Sequence, residues 1–255
     1  MAEMNEKQAP QVTEQDYNEL VKVRREKLAK LQEEGNDPFE ITKFDVTHHA
    51  QEIKDNFETL EGTAVSVAGR MMSKRGMGKV SFCDMQDRSG RIQLFVKIDE
   101  VGEEVMAAFK KYDIGDIVGV EGEVFRTKMG EISVRAKTVK LLSKSLLPLP
   151  EKYHGLKDVD TRFRQRYVDL IVNPEVMRNF DIRSGFIKFM RSYLDNMNYI
   201  EVETPVLSTI VGGASARPFI PHHNTLDIDM YMRIATELPL KRLIYIFLFS
   251  KTQDI

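Results

Sequence analysis

The feature that most limits the fold is a stretch, residues 63–143, in which apolar side chains return at every second position. In Arg91-Ile92-Gln93-Leu94-Phe95-Val96-Lys97-Ile98, aliphatics take every even position and Arg, Gln, Phe and Lys every odd one. Glu131-Ile132-Ser133-Val134-Arg135-Ala136-Lys137 alternates in the same way. Successive side chains on a strand point to opposite faces, so this pattern makes strands buried on one face and wet on the other. Further strands fit 63–73, 79–86 and 116–126, with breaks at Gly76-Met77-Gly78, Ser89-Gly90 and Met129-Gly130. A charged stretch over 99–111 predicts a helix between the third and fourth strands.

Five strands with a helix after the third is the order of an OB barrel, and the helix position favours it over other five-stranded barrels. Charge adds to this. Residues 1–60 hold 8 Lys/Arg against 14 Asp/Glu, and 61–145 hold 15 against 12. The alternating segment therefore has the clearest basic excess and is the expected polyanion contact. With its own strands and turns, 61–145 is expected to fold alone.

Around the barrel the chain changes character. Tyr17, Leu20, Val21, Leu28 and Leu31 recur at helical spacing over 13–34, before Gly35-Asn36-Asp37-Pro38 stops the helix. Two readings fit: a surface helix docked by that stripe, or a basic arm on RNA through Lys22, Arg24, Arg25, Lys27 and Lys30. Leu146-Leu147-Pro148-Leu149-Pro150 marks a linker. Arg162, Arg164 and Arg166 then cluster near Asp158, Asp160 and Asp169, as ion pairs or as an RNA contact. Asn173-Pro174 opens a long helix with Ile182, Phe186, Met190, Tyr193, Leu194 and Met197 along one side. His48-His49 and His222-His223 suggest a metal, but neighbours on an extended strand face opposite ways, so none is assigned. The single cysteine, Cys83, excludes an internal disulfide and a Cys-based zinc site. No apolar run reaches about 18 residues and Met1 to Gln11 is polar, so a cytoplasmic protein with no membrane partner is expected.

The second half carries more specific motifs. The long helix runs into Tyr199-Ile200-Glu201-Val202-Glu203-Thr204-Pro205, which resembles motif 1 of the class II aminoacyl-tRNA synthetases. Gly212-Gly213-Ala214-Ser215-Ala216-Arg217-Pro218-Phe219, His222-His223-Asn224, and Tyr231 to Ala235 followed by Glu237-Leu238 resemble the lysyl-tRNA synthetase signature. Ala68 to Met72, His154 to Leu156 and Arg164 to Leu170 resemble the same family in order and spacing.

The resemblance implies an α+β chain of two domains. A helical extension, 1–60, precedes an OB-type anticodon-binding barrel, 61–145; a linker, 146–160, leads to the start of a class II catalytic domain, 161–255, an antiparallel sheet with helices. It implies ATP-dependent activation of lysine to lysyl-adenylate and transfer to tRNA(Lys), with Mg2+ and a homodimer. By the same resemblance Phe82, Gln93 and Glu131 read the anticodon loop, Glu237 and the Gly213 backbone hold the lysine α-ammonium, and Pro205 lies at the dimer interface. From its residues alone Phe82 is either core or stacking platform. No catalytic residue is assigned, because motifs 2 and 3 would follow residue 244, and Tyr245 to Ile255 matches nothing in the family. The expectation is a chain cut before motif 2 and inactive by itself, so that the ligands of ATP and Mg2+ lie elsewhere. A non-catalytic anticodon-binding module is the alternative; a related enzyme for aspartate or asparagine is disfavoured by the glycine-rich and H-H-N runs. Thr236, Pro221 and Pro239 depart from the family, and Pro221 is expected to remove a donor from a strand ladder.

Overall fold

The described chain opens on strong helix formers, Glu, Leu, Lys, Arg and Ala, which build α1 (Glu14–Glu33). The structure, a computed structural model, describes residues 14–150, 156–211 and 215–250. After α1 a short 3-10 turn (Pro38–Glu40) leads to α2 (Ala50–Asp55) and α3 (Phe57–Leu60). The α2 N-terminus is capped from elsewhere: the Asp87 carboxylate accepts from Ala50 N–H at 2.8 Å. Burial would raise the Asp87 carboxyl, but hydrogen bonds from Ala50, Ser89 and Gly90 hold it below its ordinary value.

The alternating segment forms β1 (Ala64–Met77), β2 (Val80–Gln86) and β3 (Arg91–Lys97), then α4 (Ile98–Val101) and α5 (Glu103–Lys111), then β4 (Ile117–Arg126) and β5 (Ile132–Ser143). The helix expected over 99–111 is broken at Gly102, whose φ of 85° ends one helix and starts the next. The strands close in the order β1-β2-β3-β5-β4, with β3 and β5 parallel and every other pair antiparallel. This is the OB order that the sequence predicts. Gly122 lets β4 approach β5, since a Cβ there would lie 2.2 Å from the Arg135 carbonyl oxygen.

Alternation decides the core. Cys83, Met85, Ile92, Leu94, Val96, Val120, Val124 and Val134 point inward and are buried. Two helical pieces join them: Met106 and Phe109 from α5, and Ala50, Ile53 and Phe57 from α2 and α3. The core therefore extends beyond 61–145, and a piece starting at residue 61 would leave the apolar space of Ile53 and Phe57 open to water.

Charges tie α1 to the barrel. Lys144 Nζ, its side chain 1% exposed, lies 2.8 Å from Asp116 Oδ2 and 2.5 Å from Asp113 Oδ2. Lys27 Nζ lies 2.6 Å from the other Asp113 oxygen. Arg24 is buried and donates to the carbonyls of Ser145, Leu147 and Ile114 at 3.0–3.2 Å. Each sequence reading of α1 needs correction in part. Leu31 packs against the core as a docked stripe requires, but Tyr17 and Leu20 are 38% and 45% exposed, and Arg24 and Lys27 hold the barrel rather than projecting as an arm. A guanidinium that satisfies three carbonyls is a more specific dock than an apolar stripe.

After the barrel, α6 (Val159–Arg164) and α7 (Arg166–Val172) use their charges locally. Asp169 is buried and binds Arg162 at 2.8 Å and Arg166; Arg164 pairs with Asp160 at 2.7 Å. Asp158 is not an arginine partner: it accepts from Thr161 N–H at 2.8 Å as an N-cap. The ion-pair reading of this cluster is the one that the geometry fits.

The chain divides into two compact units, Met1–Pro174 and Glu175–Ile255. At the boundary a 3-10 turn (Pro174–Val176) leads into α8 (Met177–Asn196) of the second unit. Short strands follow: β6 (Leu207–Ser208), β7 (His222–His223), β8 (Ile228–Asp229) and β9 (Tyr231–Met232), pairing β6 with β9 and β7 with β8. The last element is α9 (Glu237–Ser250). Pro221 stands just before β7 rather than in it, so no ladder donor is lost, and its carbonyl accepts from Met230 N–H at 2.9 Å. Pro239 lies in the first turn of α9, where its missing N–H has no intrahelical partner to lose. No helix among the described residues is long and apolar enough to cross a membrane.

Two outcomes follow. Residues 14–150 expressed alone should melt cooperatively and residues 61–145 should not; a cooperative melt of the shorter piece would show that α2 and α3 are dispensable to the core. Burial alone would raise the Asp113 carboxyl, but hydrogen bonds from Lys144 and Lys27 hold it below its ordinary value. A carboxyl lowered by folding adds stability above its unfolded pKa, about 3.9, that is lost as pH falls through the folded value. Acid melts of Asp113→Asn should accordingly lose part of the decline seen in the unaltered chain below about pH 4, and its Tm near neutrality should be lower. An identical acid decline in both proteins would remove Asp113 as its source.

Candidate functional site

The outward positions of the barrel strands meet in two rows across the sheet. In one, Arg75 faces Phe82, Phe82 faces Phe95, and Phe95 faces Arg135 across the parallel seam. In the other, Ser73 faces Asp84, Asp84 faces Gln93, Gln93 faces Ser133, and Ser133 faces Phe125. Three rings gather here. Phe82 and Phe95 have centroids 5.2 Å apart at 55°, and Phe95 and Phe125 lie 5.6 Å apart, edge to face. The Arg135 guanidinium carbon sits 4.7 Å from the Phe125 centroid.

Phe82 is half-buried and outside the core cluster, because its neighbours Ser81 and Cys83 take the inward positions. Of its two sequence readings, the core one is excluded. Cys83 does belong to the core, where burial pushes its thiol up to about 12, so it stays protonated and unreactive. Gln93 accepts at Oε1 from the Ser133 hydroxyl at 3.0 Å, which leaves its amide N–H groups as donors on the surface. Glu131 immediately precedes β5 with the parity of Ser133 and Arg135. Its backbone N–H donates to Thr127 Oγ1, and its half-exposed carboxylate lies 3.9 Å from Lys54 Nζ. The fold thus brings the three expected barrel residues to one face. Sequence reasoning missed Phe125, Arg135 and Arg75 there. Parity was the available signal for the first two, since each is outward in its own alternating strand, but which outward residues become neighbours depends on the seam between β3 and β5.

In the second unit Pro205 lines a cavity of about 540 Å³ with Glu203, Ser208, Arg233, Leu238 and Arg242. Arg233 is held there by the Thr204 carbonyl and by Thr204 Oγ1 at 2.6 Å. Glu237 opens α9 and binds Lys241 Nζ at 2.6 Å on an exposed surface. Gly213, its expected companion, lies outside the described residues. The histidine pairs are engaged one residue at a time: His48 with Thr47 Oγ1 at 2.9 Å, His49 3.4 Å from Asp87, His222 with Asp229 at 3.0 Å, and His223 accepting from Leu226 N–H at 3.2 Å.

Comparisons with known proteins match two stretches of the chain. Residues 65–142 match a family described as an OB-fold nucleic acid binding domain, and residues 158–247 match the class II tRNA synthetases for D, K and N. A lysine–tRNA ligase of Clostridium perfringens (strain ATCC 13124) is 60% identical over 231 residues, which is 91% of this chain and 46% of that protein. The chain is similar to about half of a lysine–tRNA ligase. Those of Clostridium tetani and Clostridium kluyveri are 60% and 58% identical, again over 91% of this chain and 46% of theirs. The chain thus spans about half the length of the curated lysine–tRNA ligases it matches, as an N-terminal OB-fold domain and a part of a class II synthetase catalytic domain.

The outward place of Phe82 has a direct consequence. Phe82→Ala should lower the melting transition less than a core truncation would, because the ring is only half-buried and its pairing with Phe95 adds roughly 0.5–1.5 kcal/mol to what its buried area contributes. Truncating a core phenylalanine costs about 3–5 kcal/mol. A loss of the larger size would return Phe82 to the core.

Proposed function

We propose that this chain supplies the anticodon-reading barrel and part of the amino-acid site of a lysine–tRNA ligase, which attaches lysine to tRNA(Lys) through a lysyl-adenylate made from ATP. The observation that carries the reading is the outer barrel face, where two phenylalanine rings sit beside an amide with free donors. Unpaired loop bases are bound by stacking on aromatic rings and told apart by hydrogen bonds to their edges. Phe82 is then a stacking platform, and Gln93 and Glu131 are edge readers, one offering N–H donors and the other a carboxylate acceptor.

At the amino-acid site, Glu237 meets the α-ammonium of lysine, with the Gly213 backbone as a second acceptor. Support comes from its present partner: the Glu237 carboxylate already takes an ammonium, that of Lys241, at 2.6 Å. An amino-acid ammonium would displace a surface lysine at small cost, because exposed pairs of this kind are weak. A two-fold dimer through α8 and Pro205 completes the proposal, supported by the exposure of Phe186, Phe189 and Tyr193 on that helix. The setting is the cytoplasm, where tRNA is charged. The lysine carboxylate would take the adenylyl group of ATP at its α-phosphorus with pyrophosphate leaving, and Mg2+ would neutralise the pyrophosphate. Among the described residues no group of three or more His, Cys, Asp or Glu side chains could hold a metal, so no step through it is assigned to them.

Binding to a synthetic stem-loop with the lysine anticodon tests the reading. Phe82→Ala should weaken it by about 1–3 kcal/mol, the usual loss of one stacked base. Gln93→Ala should reduce the preference for the lysine anticodon over altered loops and leave the salt dependence unchanged. Equal affinity of Phe82→Ala and the unaltered protein, with an unchanged melt, would end the proposal for this face.

A further inference from the structure

We propose that Arg135 is a backbone-phosphate anchor for the RNA strand that crosses the barrel face, held in place by Phe125 rather than by an acid. The inference rests on the single-stranded RNA reading of that face and adds to it a residue, a ligand group and a measurable charge.

Arg135 differs from the other partly buried arginines of the first unit in how it is held. Arg24 is spent on three carbonyls, Arg70 donates to the Gly115 carbonyl at 2.6 Å, and Arg162 and Arg166 bind Asp169. Among the described residues no carboxylate, carbonyl or hydroxyl accepts from the Arg135 side chain, although Glu123 is its cross-strand neighbour on β4. Glu123 is drawn instead toward Lys137, 3.7 Å away. The guanidinium carbon lies over the Phe125 ring, 4.7 Å from its centroid, a contact that holds the group at the sheet surface and uses none of its five N–H donors on an acceptor.

Position then selects the ligand. Arg135 sits beside Phe95 across the seam, and Phe95 is next to Phe82, so the cation ends the row Arg75-Phe82-Phe95-Arg135, with the two half-buried rings between the arginines. The face of Phe125 is covered by Arg135, so this third ring cannot take a base on that side. A strand that lays successive bases on Phe82 and Phe95 carries a phosphate between nucleotides and needs a cation at the end of the stack. A planar guanidinium with a free donor edge meets two phosphate oxygens at once. Phe125 thereby acts as a positioning residue for Arg135.

A phosphate contact and a base contact leave different marks, because neutralising one phosphate of a single strand contributes about 0.7 to the slope of log K against log salt concentration. The test titrates the 255-residue protein and its variants with the stem-loop that carries the lysine anticodon, and with loops of altered sequence, over a salt series. Arg135→Gln, which keeps a planar group over Phe125 but no charge, should weaken binding to all loops by a similar factor and reduce the slope by about 0.7. Arg135→Lys, which keeps the charge, should retain the slope and lose only part of the affinity. Thermal melts of both variants should match the unaltered protein, since Arg135 is bound to no buried group. An unchanged slope and affinity in Arg135→Gln, with Phe82→Ala still weakened, would make Arg135 only a cover for Phe125 and overturn the proposal. A change of base preference without a change of slope would overturn it in favour of base reading. No effect of either Phe82→Ala or Arg135→Gln would overturn the underlying RNA reading together with it.

Discussion

The parallel pairing of β3 with β5 is the contact on which the rest of the first unit depends. It joins Gln93 to Ser133 and Phe95 to Arg135, residues 40 positions apart in the chain. Without it both strands would be sheet edges with unpaired N–H and C=O groups, and the inward valines and leucines would face water on one side. Parallel neighbours need a crossover, and here it runs through α4, α5 and β4. Met106 and Phe109 from that crossover help to fill the barrel. The same seam assembles the outer face. Phe95 meets Arg135, and Gln93 meets Ser133, only because the barrel closes there. The core and the outer face thus share one set of backbone hydrogen bonds.

A buried ion cluster holds the other end of the strand pair. Ile117 opposes Ser143 where β4 begins and β5 ends, and Asp116 and Lys144 lie one residue beyond each. Asp116 also accepts from Ser145 N–H and Asp113 N–H, both at 2.8 Å. Buried charges such as these add little net stability when complete, but removing one partner strands the other in a dry site, which costs several kcal/mol. The cluster therefore works as a register lock: the β4–β5 pairing that satisfies Lys144 is strongly preferred over a slipped one. Lys27 and Arg24 extend the lock to α1, so one polar knot positions the helix, the start of β4 and the chain leaving β5.

Much of the candidate site was legible because strands report their faces. The odd positions of 91–97 announced a polar outer face with Gln93 and Phe95 on it, and the family motifs singled out Phe82, Gln93 and Glu131 before any geometry was known. Phe82 itself remained ambiguous, since an aromatic residue suits either face of a strand. Its register against Phe95, and the burial of Ser81 and Cys83 beside it, resolved that. The basic residues of α1 misled for a related reason. Lys and Arg are ordinarily surface residues, and nothing in the local pattern tells that Arg24 and Lys27 would find carbonyls and a carboxylate 86 to 123 residues away.

The sequence by itself determined the order of elements, the strand-and-helix plan of an OB barrel and the motifs shared with lysine–tRNA ligases. Those properties are written in spacings of two to four residues and in short runs, which depend on no distant partner. The tertiary structure alone decided that α2 and α3 complete the barrel core, that Arg24 and Lys27 are anchors, and that Arg135 stands without an acid over Phe125. Each of these is a contact between segments far apart in the chain. Whether an arginine ends beside a carboxylate, a carbonyl or a ring depends on which strands become neighbours when the barrel closes, and local patterns carry no record of that.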